Sequence, residues 1–465
     1  MPGKSPNIDR FLAGIDRCIF HSDPVTIAAY SYDATNEFHY PSGVVRPRNA
    51  ADVGAVLRAA NESGVRLFPR GAGTGFSGGS LPVGGGVVID FLGMSRILDI
   101  DEESMTARVE PGVITLHLQD EVEKRGLYYP PDPASLKICT IGGNIAENAG
   151  GPHCLKYGVT RDYVLSLDGF TADGRPFGAG KGTLKDRAGY DLKHLFIGSE
   201  GTLAVFTGIL LRLLPKPEDR ILFSAWFDDL NDAAVMVNTL LRRGIAPASL
   251  EFMDRSALQA VESYAKLGIN TGYEAVLIVE IDGRSDEMPH LKRITHECLA
   301  LTASEIDVAT EKHEQEALWE VRRKASPAMR AFGNKKANED IVVPRRNVPA
   351  CIRELRELAQ RERLNIISFG HIGDGNIHVN IMYDGGNAAE RESVERGLKQ
   401  LFAIVNKYEG AVSGEHGIGI AKKRYLPANL DPVSYDLMRS IKRLFDPNGI
   451  LNPGKIFDPG PEDAP

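Results

Sequence analysis

The sequence of 465 residues is poor in cysteine, and its five cysteines are far apart: Cys18, Cys139, Cys154, Cys298 and Cys351. No two of them form a Cys-x-x-Cys motif, which argues against an iron–sulfur cluster and against a structural zinc knuckle. An odd number of dispersed cysteines is typical of a protein in a reducing compartment. The cysteines therefore favour the cytosol.

Long apolar segments are also lacking. The longest nearly apolar stretch, Thr202 to Leu211, is half of the roughly 20 residues that a membrane-spanning helix needs. Met1-Pro2-Gly3-Lys4 leads into mixed sequence without the apolar core of a signal peptide. With 54 Lys and Arg against 62 Asp and Glu, the net charge is −8, which disfavours nucleic acid and anionic membranes as partners. We expect a soluble cytoplasmic protein with at most peripheral contact with the inner face of the membrane.

Glycine, in contrast, is abundant, with 48 of the 465 residues. Eight of the glycines lie between Gly71 and Gly86. Residues 73–78 fit the G-x-G-x-x-G motif of dinucleotide-binding proteins, but Pro82 and three glycines follow where that motif requires a helix. An NAD site is therefore not predicted. Arg70 and the exposed amides of small residues suit a phosphate group, and a plain surface loop is the alternative.

The pattern of helices and strands changes once along the chain. An amphipathic helix is predicted over residues 50–63, with Asn49 as its N-cap and Gly64 as its stop. Pro215-Lys216-Pro217 later interrupts a long predicted strand. Beyond that point strands and helices alternate regularly, so we place the first domain boundary there.

The strongest chemical signal is the segment from Gly370 to Asn380, which contains His371 and His378. Asp374-Gly375 is a preferred two-residue hairpin turn, and folding there would pair residue 371 with residue 378. The two imidazoles would then share one face, with Cβ atoms about 5 Å apart, which is a geometry that can chelate a metal. Asn380 shares that face. The alternative is that both histidines are ordinary hairpin residues.

A second segment, residues 413–419, contains Glu415 next to His416, with glycines on both sides. A carboxylate and a histidine placed in this way can supply a third metal ligand and a base. Two imidazoles and one carboxylate leave coordination positions open, as catalytic metal sites require, and they accept zinc, iron or manganese. Zinc is the favoured metal.

Several short motifs recur at loop positions between the predicted strands. They are Glu110-Pro111-Gly112-Val113, Pro130-Pro131-Asp132-Pro133, Thr140-Ile141-Gly142-Gly143-Asn144, Ala149-Gly150-Gly151, Tyr157-Gly158-Val159-Thr160, Gly198-Ser199-Glu200-Gly201-Thr202-Leu203 and Asn452-Pro453-Gly454-Lys455. Together with residues 69–79, they resemble the FAD-binding flavoproteins of the vanillyl-alcohol oxidase type, also called PCMH-type. The resemblance extends from about residue 40 to residue 457. It is closest to the D-2-hydroxy-acid dehydrogenases, which include the D-type component of glycolate oxidase, D-lactate dehydrogenase and D-2-hydroxyglutarate dehydrogenase.

The resemblance implies an α+β fold in three stretches of chain. A two-part FAD-binding domain would occupy residues 1–218, and an α/β substrate (cap) domain with an antiparallel sheet and the metal site would occupy residues 219–423. Residues 424–465 would return to pack on the FAD-binding domain.

The resemblance also implies which residues line the FAD site. Thr74 stands where some relatives carry a histidine bonded covalently to the flavin, so the FAD is expected to be non-covalent. The implied FAD-binding residues are Pro69, Arg70, Gly71, Ala72, Gly73, Thr74, Gly75, Ser77, Gly78, Pro131, Asp132, Thr140, Gly142, Gly143, Asn144, Ala149, Gly150, Gly151, Tyr157, Gly158, Glu200, Gly201, Thr202, Val205 and Asn452.

Family positions assign the remaining roles. The metal ligands correspond to His371, His378 and Glu415, and the catalytic base to His416. The substrate residues correspond to Arg322, Ser326 and Asn380, with the guanidinium as the clamp for a carboxylate. Where the hydroxyglutarate enzymes have a lysine for a distal carboxylate, Asn338 stands here, although Lys335 and Lys336 are close. This departure favours a short monocarboxylate.

The implied activity is an FAD-dependent D-2-hydroxy-acid dehydrogenase that is assisted by a metal and a histidine base. D-lactate or glycolate would become a 2-oxo acid, with the hydride passing to N5 of FAD. The electrons would leave to an acceptor other than NAD: a quinone, a cytochrome, an electron-transfer flavoprotein or an iron–sulfur subunit. The alternatives are a D-2-hydroxyglutarate dehydrogenase, a non-catalytic FAD-binding companion subunit, a flavoprotein of the same fold acting on another alcohol or amine, and a metal-dependent hydrolase. The sequence leaves a homodimer open.

Overall fold

The computed structural model describes residues 6–458. Residues 1–5 and 459–465 lie outside the described range, so the start of the chain examined for a signal peptide and the end of the predicted C-terminal segment are not covered. The described chain divides into two compact units. Unit 1 comprises residues 6–149, 159–216 and 415–458, and unit 2 comprises residues 150–158 and 217–414. The sequence-based bounds differ from this division by assigning 150–158 and 217–218 to the first domain and 415–423 to the second.

The described α-helices, in chain order, are α1 Pro6–Ala13, α2 Pro24–Ala29, α3 Ala50–Ser63, α4 Thr115–Glu123, α5 Ile141–Glu147, α6 Cys154–Tyr157, α7 Leu192–Phe196, α8 Leu230–Arg242, α9 Arg255–Ala265, α10 Met288–Leu299, α11 Lys312–Ala328, α12 Val348–Glu362, α13 Ala388–Lys407, α14 Leu426–Asn429 and α15 Pro432–Phe445.

The described strands are β1 Phe20–His21, β2 Gly43–Val45, β3 Leu67–Arg70, β4 Val87–Asp90, β5 Ile97–Asp101, β6 Thr106–Val109, β7 Leu127–Tyr128, β8 Val164–Phe170, β9 Pro176–Gly180, β10 Val205–Arg212, β11 Leu214–Pro215, β12 Asp219–Phe227, β13 Ser249–Asp254, β14 Ala275–Gly283, β15 Glu305–Ala309, β16 Lys335–Val342, β17 Asn365–Gly370 and β18 Asn376–Tyr383.

Unit 1 contains a four-stranded sheet in the order β1-β2-β4-β3, in which β2 and β3 both run parallel to β4. The helix α3 begins after Asn49, whose side chain accepts a hydrogen bond from the amide of Asp52, and ends at Gly64 in the left-handed conformation. Both ends agree with the sequence pattern, because an Asx N-cap and a C-terminal glycine satisfy the open backbone groups of a helix. The apolar face of α3 packs into a core that includes Val53 and Leu57.

A second sheet of unit 1 is antiparallel, in the order β5-β6-β10-β8-β9, and a short pair is formed by β11 and β7. The C-terminal residues join both parts of this unit. Leu451 forms a parallel β-bridge with Leu67, the first residue of β3, and the ring of Phe445 lies 5.3 Å from that of Phe196. Leu67, Leu451 and Phe196 are buried and Phe445 is partly buried, so hydrophobic burial contributes to holding the end of the described chain on unit 1.

Unit 2 is built on one antiparallel sheet in the order β15-β12-β14-β13-β17-β18-β16. In an antiparallel pair, residues that lie opposite each other point to the same face. The register therefore places Met253, Phe369, His378 and Asp340 in one row on one face. Helices α9 and α11 cover apolar positions of this face, and the polar positions beside them form the candidate site.

The hairpin of the two histidines has a different register from the predicted one. Phe369, and not His371, pairs with His378, and residues 371–375 connect β17 to β18. A two-residue type I′ turn requires positive φ at both positions, and of the pair Asp374-Gly375 only the glycine has it. The carbonyl of Gly375 is also held by the amide of Val343, which follows β16, at 3.1 Å. The predicted pairing of 371 with 378 is therefore wrong.

The segment from Thr140 to Asn144 was expected to be a loop, and this expectation is also wrong. Thr140 is the N-cap of α5, and its hydroxyl accepts a hydrogen bond from the amide of Gly143 at 3.2 Å. Glycine usually weakens a helix. At position 142, however, any larger residue would collide with Pro111, because a Cβ there would lie 2.6 Å from it. Close packing against Pro111 therefore requires a glycine within this helix.

Two absences concern the chain as described. None of the helices between residues 6 and 458 is long and apolar enough to cross a membrane. None of the five cysteines forms a disulfide bond.

A buried carboxylate in unit 2 gives a first prediction. Asp254 accepts hydrogen bonds from the amides of Ala257, at the start of α9, and Ser368, in β17. Burial nevertheless raises the pKa of Asp254 to about 6. A raised pKa contributes stability that is complete below the unfolded-state value and is lost as the pH rises through the folded-state value. We expect this group to lower the free energy of unfolding by roughly 1–2 kcal/mol between pH 5 and pH 8.

The measurement compares wild type with Asp254→Asn in denaturant unfolding at pH 5 and pH 8. Fluorescence reports on unit 2, because both tryptophans of the chain, Trp226 and Trp319, lie in that unit. Asn does not titrate, so the stability of wild type relative to the variant should fall as the pH rises. Asp229→Asn is the matched control, because Asp229 caps α8 from an exposed position. Equal pH dependence in wild type and Asp254→Asn would contradict the prediction.

Candidate functional site

The two histidines of unit 2 meet although their predicted register is wrong. His378 lies within β18, and His371 is the first residue after β17. Their ring centroids are 5.2 Å apart and the ring planes are nearly perpendicular. Both side chains are buried. The arrangement therefore directs two imidazoles toward a common point.

Glu415 is the residue at which the chain leaves unit 2. Ser413 and Gly414, which precede it, are held by Asp340 of β16. This carboxylate accepts hydrogen bonds from the hydroxyl of Ser413 at 2.9 Å and from the amide of Gly414 at 3.0 Å. One ligand atom each of His371, His378 and Glu415 lies within 4.8 Å of the others. The three predicted metal ligands therefore come together, as residues of a kind that zinc, iron or manganese accept.

The clamp predicted from the sequence, Arg322 on α11, is joined to this group by Glu251 of β13. One oxygen of Glu251 lies 2.5 Å from Nδ1 of His371, and the other accepts a hydrogen bond from Nε of Arg322 at 2.6 Å. Burial acts to raise the pKa of Glu251, but the charges of His371 and Arg322 and their hydrogen bonds outweigh it and lower that pKa to about 2. Glu251 is therefore an ionised carboxylate within the sheet.

The other two predicted substrate residues, Asn380 and Ser326, differ in burial. Asn380 is fully buried on the face of β18 that also carries His378, and its Oδ1 has no hydrogen-bond partner among residues 6–458. Ser326 is exposed, one turn beyond Arg322 on α11. Asn380 thus lies beside the histidine pair with an acceptor to offer, and Ser326 lies nearer the surface.

Lysine is present on the same face of unit 2. Lys336, Asn338 and Asp340 alternate along β16, and they are paired with Met382, Asn380 and His378 of β18. Burial lowers the pKa of Lys336. The family resemblance places Asn338 at the position of a distal-carboxylate lysine, and the register shows that Lys336 shares its face.

Sequence reasoning missed Glu251 and Asp340, the two buried carboxylates that hold the site. Neither lies in a motif. A signal was nevertheless present, because Glu251 interrupts the otherwise apolar run Leu250-Glu251-Phe252-Met253. A charged residue within a buried strand is rare unless it is paired.

In unit 1, the glycine-rich run forms the loop after β3. The backbone amides of Gly73, Thr74 and Gly75 form no hydrogen bond within the described part of the chain. A Cβ on Gly71 would meet the hydroxyl of Thr140 at 2.4 Å, so this loop lies against the N-terminus of α5. Open amides in such a loop suit the pyrophosphate of a dinucleotide.

The side chains around this loop are mostly engaged with the protein. Arg70 donates to the carbonyl of Tyr32 at 2.8 Å, and Asn144 donates to the hydroxyl of Thr115 at 2.8 Å. Asn452 donates to the carbonyls of Gly79 and Glu200, whereas its Oδ1 has no partner in residues 6–458. The backbone and small residues of the loop are therefore the groups that remain for a phosphate.

Lys455, at the end of the Asn452-Pro453-Gly454-Lys455 motif, is buried and donates to the carbonyls of Gly78 and Leu81. Burial lowers its pKa to about 8. Lys455 thus fixes the far end of the glycine-rich loop.

The segment that contains the predicted base is anchored by Glu200, which accepts hydrogen bonds from the amides of Ile418 and Gly419, both at 2.7 Å. Burial raises the pKa of Glu200 and that of its neighbour Glu147. The ring of His416 lies 5.1 Å from that of Phe76 in the glycine-rich loop, and its Nε2 lies 3.9 Å from Oε1 of Glu415. His416 therefore joins the glycine-rich loop to a metal-ligand candidate.

Four of the predicted FAD residues, Gly150, Gly151, Tyr157 and Gly158, belong to unit 2 and not to unit 1. The hydroxyl of Tyr157 donates to Asp282 at 2.7 Å, and its neighbour Lys156 donates to the same carboxylate. The segment that carries them is therefore bound to β14.

The predicted residues that remain lie in unit 1. They are Pro69, Ala72, Ser77, Pro131, Asp132, Ala149, Gly201, Thr202 and Val205. No ligand contact tests their roles, which stay predictions.

Comparison with known proteins identifies the family. The family described as "FAD binding domain" matches residues 41–179, and the family described as "FAD linked oxidases, C-terminal domain" matches residues 216–456. The glycolate oxidase subunit GlcD of Bacillus subtilis is 42% identical over 430 residues, which cover 92% of each chain. The D-lactate dehydrogenase of Archaeoglobus fulgidus is 37% identical, covering 92% of this chain and 95% of its own.

A solved structure has the same fold. The crystal structure of p-cresol methylhydroxylase with substrate bound superposes with a TM-score of 0.81, covering 97% of this chain and 96% of that chain at 18% identity. The expected α+β fold, with a PCMH-type FAD-binding part and a cap with an antiparallel sheet, is confirmed. The cofactor of the matching domain is FAD. The chain belongs to the FAD-linked 2-hydroxy-acid dehydrogenases and is an FAD-dependent oxidoreductase.

Proposed function

We propose that this protein oxidises a small D-2-hydroxy acid to the 2-oxo acid, with D-lactate or glycolate as the favoured substrate. One observation carries the proposal: the buried Glu251 is bonded both to His371 and to Arg322. A 2-hydroxy acid has its hydroxyl and its carboxylate on neighbouring carbons. Glu251 holds a proposed metal ligand, His371, next to an arginine, Arg322. A metal beside His371 could bind the hydroxyl of such a substrate while Arg322 binds its carboxylate.

We propose that His371, His378 and Glu415 hold a divalent metal, with zinc favoured and iron or manganese as alternatives. Two imidazoles and one carboxylate are a donor set that leaves coordination positions for a substrate. A cation held there would stabilise the ionised form of a 2-hydroxyl group and so lower its pKa. The convergence of the three donors supports this assignment.

His416 is proposed to take the proton of the 2-hydroxyl group. A histidine is suited to this role because its ordinary pKa is near neutral. The side chain lies beside Glu415, with 3.9 Å between Nε2 and Oε1. The ring of Phe76 lies 5.1 Å from the imidazole. These contacts support a base that is held next to a metal ligand.

Arg322 is proposed to bind the substrate carboxylate. Its Nε is occupied by Glu251, and its guanidinium lies over the ring of Phe369 at 4.6 Å. The two terminal amino groups have no partner among residues 6–458. They can therefore form the parallel pair of hydrogen bonds that a guanidinium makes with a carboxylate.

The residues of the glycine-rich loop would hold FAD without a covalent bond, and FAD when bound accepts the hydride of the substrate. The open amides of Gly73 to Gly75 support this placement of the pyrophosphate. The electrons then need an acceptor: a quinone, a cytochrome, an electron-transfer flavoprotein or an iron–sulfur subunit. The Bacillus subtilis relative is named a subunit, which supports a protein partner.

A D-2-hydroxyglutarate dehydrogenase is the second candidate. The observation that favours it is Lys336, which shares the face of β16 with Asn338 and Asp340. An ammonium group on that face could bind a second carboxylate. An anaerobic screen of D- and L-2-hydroxy acids with an artificial acceptor separates the candidates. D-lactate and glycolate should be oxidised faster than D-2-hydroxyglutarate, and turnover of L-acids alone would refute both.

Replacement of the first metal ligand tests the metal role. In His371→Ala, bleaching of the flavin by D-lactate under anaerobic conditions should be abolished, because one of the three ligands is lost, while the flavin remains bound to unit 1. His290→Ala, on the exposed surface of α10, is the matched control and should bleach like wild type. Unchanged bleaching in His371→Ala would refute the metal role.

Replacement of the clamp tests carboxylate binding. Arg322→Met should raise the KM for D-lactate by about 10- to 100-fold, because a charge-assisted hydrogen bond contributes about 1.5–3 kcal/mol. Arg323→Met is the control, because Arg323 is the next residue on α11 and pairs with Glu316 on the exposed side. An equal KM in the two variants, measured by stopped-flow reduction of the flavin, would argue against the clamp.

The glycine-rich loop gives a prediction about FAD itself. A Cβ on Gly75 would meet no atom of residues 6–458 within 4 Å, so Gly75→Ala should leave the stability of the apoprotein unchanged. It should weaken FAD binding, since the added methyl group occupies the space at the open amides. Flavin fluorescence titration of the apoprotein measures this. Gly93→Ala, whose Cβ would only touch the carbonyl of Pro47 at 3.5 Å, should bind FAD normally, and equal affinity in both variants would contradict the prediction.

A further inference from the structure

We propose that Glu251 is a positioning residue that orients His371 and Arg322 together, and so couples metal binding to binding of the substrate carboxylate. The inference rests on the function proposed above and adds a residue that lies outside the motifs. Glu251 would touch neither the metal nor the substrate. It would act through the two side chains that do.

The sheet register brings these groups together. Phe252 of β13 pairs with Gly370 of β17, so the next residues, Glu251 and His371, come level with each other. Glu251 is fully buried, with an exposed fraction of 0%. A carboxylate without water needs hydrogen-bond donors on both oxygens. Glu251 obtains one donor from the sheet's own hairpin and the other from α11.

The contact with His371 determines which ring nitrogen is available to a metal. An ionised carboxylate only accepts hydrogen bonds, so Nδ1 of His371 carries the proton that it shares with Glu251. The lone pair is then on Nε2. A carboxylate that holds the other nitrogen of a ligand histidine fixes the tautomer and the ring orientation and makes the ligand more basic.

The contact with Arg322 determines which edge of the guanidinium is available. Glu251 accepts from Nε at 2.6 Å, and the ring of Phe369 covers one face of the guanidinium. The edge formed by the two terminal amino groups remains for a ligand. Since that edge matches a carboxylate in shape and spacing, the same glutamate that orients the histidine also presents the clamp.

A purely structural role would look different in this sheet. Asp254 lies in the same strand and is also buried, but both of its oxygens accept from backbone amides, of Ala257 and Ser368. Glu280 in the neighbouring strand is bonded to His153 and Trp319. Glu251 alone among these three contacts a metal-ligand candidate and the proposed clamp.

The test compares wild type with Glu251→Gln, both purified with FAD bound. An amide can accept through only one of its two ends, so it cannot accept from Arg322 and from Nδ1 of His371 at the same time. Zinc affinity, measured by competition with a chromophoric chelator, should fall by about 10- to 100-fold, and the KM for D-lactate should rise. Glu251→Asp keeps the charge on a shorter side chain, so it should weaken zinc binding less. Glu251→Asp also provides the test of zinc affinity if Glu251→Gln does not fold.

A double variant separates positioning from general damage. If Glu251 acts through His371, adding Glu251→Gln to His371→Ala should cause no further loss of zinc affinity. An additional loss of the same size would overturn the inference. Asp254→Asn is the control and should leave zinc affinity and the KM unchanged even where it changes stability.

The outcomes distinguish the inference from the function on which it rests. If wild type binds zinc and oxidises D-lactate but Glu251→Gln binds zinc equally well, the inference alone is refuted. If wild type binds zinc, iron and manganese no better than His371→Ala does, the proposed metal role and the inference both fail.

Discussion

A carboxylate buried in a β-sheet must have a donor on each oxygen, and much of the candidate site follows from that constraint at Glu251. Leaving such a charge unpaired costs several kcal/mol, so His371 and Arg322 cannot move independently of the glutamate. The sheet register sets the position of Glu251 beside residue 371, and α11 supplies the arginine. The orientation of His371 and Arg322 thus depends on the need to satisfy the hydrogen bonds of Glu251, which is fully buried.

The same constraint recurs at other buried carboxylates. Asp340 accepts from Ser413 and Gly414 on one oxygen and from the side chain of Asn376 on the other. In unit 1, Glu200 accepts from the amide of Ile418 on one oxygen and from that of Gly419 on the other. Glu415 and His416 lie between these two anchors along the chain. Gly419 has a φ of 47° and a Cβ there would meet the carbonyl of Ser77 at 2.1 Å. The glycines of this segment therefore permit close approach, while the carboxylates hold the backbone.

Local sequence signals predicted local structure well. They failed where the structure depends on a further strand or helix that is distant in sequence. The helix Ala50–Ser63 was predicted with both caps, because an Asx cap and a C-terminal glycine act within a few residues. The turn at Asp374-Gly375 was predicted with the wrong register, because β16 also pairs with β18 and no local signal shows it. The two histidines nevertheless lie close together. His371 directly follows β17, and β17 pairs with β18 at His378. Glu251 was missed because its partners are distant in sequence.

The shape of a 2-hydroxy acid explains why His371 and Arg322 should both be held by one carboxylate, that of Glu251. In a 2-hydroxy acid the carboxylate is attached directly to the carbon that bears the hydroxyl, so a metal and a guanidinium that bind the two groups must keep one short separation. Sites of this kind tolerate errors of only about 0.5 Å. His371 lies in the connection between β17 and β18 and Arg322 lies in α11, so local backbone geometry alone does not fix the distance between them. A side chain that is hydrogen-bonded to both, at 2.5 Å and 2.6 Å, fixes their positions relative to each other.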